Sequence, residues 1–86
     1  MRLTVKDGDG YTVPPDRMAD AVLRLGRFED WCDALAAELA AIPDELSRLR
    51  AEGKEKTVTY RETLGRKLFN TEVRDALARH GVQIDA

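Results

Sequence analysis

The apolar residues between positions 16 and 52 repeat at alternating steps of four and three. The repeat runs through Phe28, Cys32, Leu35, Leu39, Ile42, Leu46 and Leu49. Such a repeat averages about 3.5 residues per turn, which keeps the apolar line on one side of a helix. Upstream, Met18, Val22 and Leu25 extend the same line. The pattern therefore predicts one long amphipathic helix over residues 16–52.

A helix over residues 16–52 would be roughly 55 Å long at about 1.5 Å per residue. A compact chain of this size has a radius of gyration of only about 12 Å. We therefore expect that the rest of the chain cannot cover the whole apolar line. The seven residues from Phe28 to Leu49 are then predicted to form the interface of a homo-oligomer, or to receive a helix from another protein.

Pro43 lies inside this predicted helix. A proline there lacks the N–H that the carbonyl of Leu39 would accept, and it costs a helix about 3 kcal/mol. The four-three pattern nevertheless keeps its phase from Leu39 and Ile42 to Leu46. This favours a kink at position 43, and a break into two helices, 16–41 and 44–52, remains the alternative.

The N-terminal residues show strand alternation on both sides of a double Asp-Gly sequence, Asp7 to Gly10. Glycine supplies the positive φ that tight hairpin turns need, so a β-hairpin is predicted over residues 2–13, with strands at 2–6 and 10–13. Pro14 and Pro15 end the second strand and lead into the long helix.

After the long helix, Gly53 is a natural C-terminal cap. Thr59 and Glu62 have the spacing of a capping box, so a short helix with Tyr60, Leu64 and Leu68 as its apolar stripe is predicted to begin there. A second short helix, starting at position 70 or 71, is predicted to end before Gly81. The fold class is therefore α+β and mostly α. We expect one domain over residues 1–86, with a hairpin, a long helix and two short helices in residues 59–80.

The charge is unevenly distributed along the chain. Residues 1–53 contain seven Lys or Arg and eleven Asp or Glu, whereas residues 54–80 contain seven and four. Guanidinium groups bind phosphates, and an aromatic ring can stack on a base. The predicted site for an anionic ligand such as a nucleotide consists of Tyr60, Arg61, Arg66, Lys67, Arg74 and Arg79. Pairing of these cations with carboxylates at helical spacing is the alternative interpretation.

The segment from Ala21 to Asp30, with its run Arg24-Leu25-Gly26-Arg27-Phe28-Glu29-Asp30, resembles a segment of small phage and prophage proteins of Gram-positive bacteria, in which that run follows a short N-terminal hairpin. Residues 57–68 and 80–82 are similar to a second block found in some of these proteins. The resemblance covers about half of the chain. It implies an accessory protein of an infected cell, such as an anti-defence protein that acts as a sponge for a host nucleotide signal or blocks a host immune protein.

The sequence favours binding over catalysis. Cys32 and His80 are the only residues of their kinds, so no disulfide, metal site, cofactor or catalytic site is predicted. Neither a signal peptide nor a membrane span is apparent, so we expect a chain in the cytoplasm, that of the host if it is phage-encoded. The alternative function is a small DNA-binding regulator, in which the two short helices form a helix-turn-helix.

Overall fold

The computed structural model describes residues 1–84 and confirms a mostly helical α+β fold with an N-terminal hairpin. Its elements are β1 (Val5–Asp7), β2 (Gly10–Thr12), a 3-10 turn (Pro15–Arg17), α1 (Met18–Ala51) and α2 (Val58–Arg79). They form two compact units, Met1–Trp31 and Cys32–Ala86, and α1 contributes residues to each. The units are described separately below.

The first unit contains the predicted hairpin. Strands β1 and β2 are antiparallel, with Val5 opposite Thr12 and Asp7 opposite Gly10. Gly8 has a φ of 60°, as the first central residue of a type II′ turn requires. The strands are shorter than the predicted 2–6 and 10–13, because only three residue pairs join them, and the first strand extends to Asp7.

Helix α1 starts after the Pro-Pro sequence and ends at the predicted glycine. The amide of Arg17 donates to the carbonyl of Pro14 at 2.9 Å, which forms the 3-10 turn that precedes the helix. At the other end, Lys54 N donates to Leu49 O at 2.8 Å, and Gly53 N donates to Arg50 O at 3.0 Å. With Gly53 at a φ of 71°, these bonds form a Schellman motif that satisfies the last carbonyls.

Pro43 lies within α1, and the helix continues through it. The predicted alternative of a break into 16–41 and 44–52 is therefore wrong. Pro43 itself is exposed, so water can reach the backbone that lacks its hydrogen bond. The apolar residues on both sides of it, Ile42 and Leu46, are buried.

The prediction of two short helices over residues 59–80 is wrong, because α2 is a single helix from Val58 to Arg79. Its N-cap is Thr57, whose Oγ1 accepts from Tyr60 N at 3.2 Å, rather than the predicted Thr59. Asn70 was taken as the start of a new helix, but it is buried inside the continuous one. Between Gly65 and Gly81 the sequence contains neither proline nor glycine to end a helix.

In the second unit, α1 and α2 form an antiparallel helical hairpin. Contacts between side chains join Arg50 to Tyr60 and Glu38 to Arg66, so residues later in α1 meet residues earlier in α2. Leu77 O accepts from Val82 N at 2.9 Å, which ends α2 at Gly81 with a second Schellman motif.

The core of this unit comes mainly from the seam that was predicted for an oligomer. The buried residues of α1 are Leu35, Ala36, Ile42, Leu46 and Leu49. Ile42 is 0% exposed and Leu46 is 1% exposed within one chain. Four of the seven predicted interface residues, Leu35, Ile42, Leu46 and Leu49, are therefore core residues and are not available to a second molecule. The other three, Phe28, Cys32 and Leu39, are half-buried.

The premise that the chain could not cover its own seam was therefore wrong for residues 35–49. The error lay in treating residues 59–80 as two short helices, each too short to lie along that part of the seam. As a single helix of 22 residues, α2 is long enough to do so.

The apolar repeat of α1 is buried at Ile42 and exposed at Val22, and this difference can be tested directly. Ile42→Ala should lower the free energy of unfolding by about 2–5 kcal/mol, because it opens a cavity at a fully buried site. Val22→Ala, on the same line but 63% exposed, should change it by no more than about 0.5 kcal/mol. Urea unfolding followed by circular dichroism measures both. Equal losses would contradict the assignment of the core to the second unit.

Candidate functional site

All six residues of the predicted anion site lie on α2, but the helix does not bring them to one side. Tyr60, Lys67 and Arg74 follow at steps of seven and share a side, since seven residues make nearly two turns. Arg61 and Arg79 lie on another side. Arg66 faces α1, where it contacts Glu38.

Tyr60 is held by a residue that the sequence did not single out. Arg50 of α1 donates from Nε to the Tyr60 hydroxyl at 2.8 Å, and its Cζ lies 5.9 Å from the centroid of the tyrosine ring. The hydrogen bond to Tyr60 is the main reason why the pKa of Arg50 is raised. This cation therefore lies over an aromatic face at the loop end of the helical hairpin. Its only signal in the sequence was its position just before the helix-ending Gly53.

Arg66 is engaged by two carboxylates of α1. Its Nε lies 2.6 Å from Glu38 Oε1, and its Nη1 lies 3.9 Å from Glu45 Oε1. The bond from Arg66 holds the pKa of Glu38 below its usual range, with a smaller lowering from Asn70. The pKa of Arg66 is raised by the same bond. Arg66 thus joins the two helices, and its charge is shared with two carboxylates of α1.

The remaining cations differ in how free they are. Arg74 Nε lies 3.4 Å from Oδ1 of its neighbour Asp75. Within residues 1–84, Arg61, Lys67 and Arg79 take part in no ion pair. Arg66 and Arg74 are therefore paired, but neither at helical spacing, since the partners of Arg66 come from α1 and Asp75 is adjacent to Arg74.

Tyr60, Lys67 and Arg74 share one side of α2, and Arg50 lies over the Tyr60 ring. We call these four residues the basic stripe. It is the surface of the helical hairpin that could bind an anion, although Arg74 is also paired with Asp75. Successive α2 members are roughly 10 Å apart, because seven residues rise about 1.5 Å each. A ligand that contacts two of them must be extended or carry more than one negative group. The aromatic ring and the cation above it suit a planar, negatively charged ligand.

A second surface belongs to the first unit. Met18, Val22 and Leu25, the upstream part of the predicted seam, are 47%, 63% and 58% exposed. Their spacing of four and three places them on one side of α1. The exposed carboxylate of Glu29 is next on that side, four residues after Leu25. We call these three apolar residues the α1 apolar line.

Residues 1–84 bring together no group of three or more His, Cys, Asp or Glu side chains that could hold a metal ion. Neither of the helices found there has an apolar segment of the length needed to cross a bilayer.

When the chain is compared with protein-family models, with curated proteins and with solved structures, it matches none of them.

The ion pair between the helices gives a prediction for pH. The folded state lowers the pKa of Glu38, so the ionised pair stabilises the protein above the ordinary glutamate pKa of about 4.3. That stabilisation is lost as the pH falls through the lower pKa of the folded state. The difference in unfolding free energy between wild type and Glu38→Gln should therefore be largest near neutral pH and shrink on acidification.

Urea unfolding at a series of pH values from 7 to 3 measures this difference. Glu29→Gln is the matched control, because it removes an exposed carboxylate of α1 that has no ion-pair partner within residues 1–84. If both variants differ from wild type by the same amount at every pH, the role assigned to the Glu38–Arg66 pair is wrong.

Proposed function

We propose that this chain is a non-enzymatic accessory binding protein of phage type, which antagonises host defence by occupying a host protein. The context comes from the resemblance of residues 24–30 to small phage and prophage proteins. The observation that carries the mode of action is the α1 apolar line, with its three large side chains about half exposed or more.

A continuous line of exposed apolar side chains raises the free energy of a protein that has no binding partner in water. Clusters of this kind, rimmed by polar residues, are typical of surfaces that bind other proteins. Helices recognise partners through apolar residues at steps of three and four, which is the spacing of Met18, Val22 and Leu25. The line therefore suits a groove on the partner that accepts one side of a helix.

Acidic residues next to the α1 apolar line indicate the charge expected on the partner. Glu29 continues the same side, and Asp30 follows it, and both are exposed. A partner groove with an apolar floor and basic residues at its rim would complement this surface. We therefore propose a host protein with such a basic-rimmed groove as the target.

A nucleotide signal is the second candidate, and the basic stripe is what favours it. Arg50 over the Tyr60 ring, with Lys67 and Arg74 at steps of two turns, provides stacking and charge on one side. A DNA-binding helix-turn-helix receives no such support, since α2 continues without a turn from Val58 to Arg79.

The protein-target proposal predicts a loss of function for Val22→Asp. An aspartate in the centre of the α1 apolar line should abolish relief of defence, measured as phage plating on a defended host that expresses the protein. Arg27→Ala is the matched control, because it also lowers the net charge by one, at an exposed position on the opposite side of α1. Circular dichroism of both variants verifies that they remain folded.

A photo-crosslinking residue at position 22 should in addition capture one host protein that the same residue at position 27 does not. Full activity of folded Val22→Asp would refute the proposal.

The nucleotide candidate predicts a different pattern. Titration calorimetry with cyclic dinucleotides should then show binding that Tyr60→Ala and Lys67→Glu each weaken by about tenfold or more, as expected for loss of a stacking or charged contact. Arg79→Glu, on another side of α2, should leave the affinity within about twofold, since rim charges contribute little. Absence of binding to any nucleotide tested, together with loss of function in Val22→Asp, would exclude this candidate.

A further inference from the structure

The outer side of α2, opposite to the one that packs on α1, is apolar and uncovered. Leu68 and Phe69 are 62% and 69% exposed, and Leu64 is 37% exposed. On the inner side the helix buries the polar residues Thr63 and Asn70. The helix thus presents Leu68 and Phe69 to solvent, whereas its apolar residues Val73 and Leu77 are half-buried.

The outer side has charges at both ends and a small residue near its centre. Arg61 lies one turn before Leu64, and Glu72 lies one turn after Leu68. Neither Arg61 nor Glu72 has an ion-pair partner within residues 1–84. Gly65 lies between the apolar residues, and a Cβ built on it would meet nothing within 4 Å. The apolar middle of this side is therefore flanked by a basic residue, Arg61, and an acidic one, Glu72, with Arg79 two turns further on.

We propose that the outer side of α2 pairs with the same side of a second copy of this chain, antiparallel and across a two-fold axis. An axis midway between positions 66 and 67 brings Arg61 opposite the partner's Glu72 and Gly65 opposite the partner's Leu68. Leu64 and Phe69, which lie about 140° apart around the helix, then flank these pairs at the two edges of the interface.

This arrangement satisfies what a symmetric dimer interface requires. In a two-fold interface the same patch faces itself, so each contact occurs twice, and a favourable charge pair must be made by two different residues of the patch. Arg61 and Glu72 meet this condition only in the antiparallel orientation, since a parallel one would place like charges together. The absence of a side chain at Gly65 leaves room for Leu68 of the second copy.

The proposed dimer differs from the oligomer that the sequence predicted, in which the α1 seam was the interface. It uses neither the α1 apolar line nor the basic stripe, so it holds or fails independently of the proposed function. It would place two copies of the basic stripe and of the α1 apolar line in one assembly.

Sedimentation equilibrium of the full chain between about 1 and 100 μM tests the proposal. Wild type should be a dimer, and Leu68→Asp should raise its dissociation constant by about tenfold or more, as for a central interface residue. Lys67→Ala is the control, because it makes the same change in net charge on another side of α2 and should leave the dimer intact. A wild type that remains monomeric at 100 μM, or equal effects of the two variants, would overturn the proposal.

Charge reversal tests the orientation with substitutions that leave the apolar residues untouched. Arg61→Glu alone and Glu72→Arg alone should each weaken the dimer severalfold, because each places two like pairs in the interface. The double variant restores opposite charges in an antiparallel dimer and should return to near the wild-type dissociation constant. A double variant as weak as the single ones, or weaker, would overturn the antiparallel pairing.

Discussion

The structure depends on the burial of one part of the α1 seam under α2. Ile42, Leu46 and Leu49 are nearly inaccessible to solvent, and they are the most deeply buried apolar side chains of the described chain. Burial of side chains of this size contributes about 1.5–3 kcal/mol each, which is a large share of the stability of a domain this small. The turn at Gly53 makes this burial feasible, because it reverses the chain directly after the last seam residue. The ion pairs of Arg66 with Glu38 and Glu45 form because α2 lies along α1 in this helical hairpin.

The side of α2 that meets this apolar seam is unusually polar. Thr63 satisfies its hydroxyl by donating to the carbonyl of Thr59 at 2.8 Å, while Asn70 Nδ2 has no hydrogen-bond partner of ordinary geometry within residues 1–84. A polar residue in a helical seam lowers stability but limits the registers in which two helices can pair. The Arg66–Glu38 contact joins α2 to α1 near the level of Asn70. Leu68 and Phe69, the most exposed apolar residues of α2, lie on its outer side.

Features determined by a few neighbouring residues were predictable from the sequence. The turn at Gly8, the helix end at Gly53 and the end of α2 at Gly81 each depend on a glycine with positive φ. The phase of the α1 seam was also read correctly through Pro43. What covers the seam was not identified from the sequence, because the polar residues Thr63 and Asn70 interrupt the covering side of α2. Two residues of the apolar stripe predicted on α2, Leu64 and Leu68, lie on the outer side instead.

The predicted anion site was likewise only partly recognisable from the sequence, because its contacts depend on residues distant along the chain. Charge counts identified a basic C-terminal region, but they could not show which cations already have partners. The partners of Arg66 come from α1, about 20 to 30 positions earlier in the chain, and only the folded hairpin brings them together. Arg50 was missed for the same reason, because its contact with Tyr60 exists only across the turn.

Pro43 has a consequence for the motions of α1. Because proline has no N–H, the carbonyl of Leu39 lacks its usual donor one turn later, and the helix has one fewer backbone bond at that level. Local opening of a helix begins where fewest bonds must break, so amide protons near residues 39–44 should exchange with solvent sooner than those around Leu46 and Leu49. Pro43 thus separates a segment of α1 that opens more readily from the segment around Leu46 and Leu49, where the backbone hydrogen bonds should persist longer.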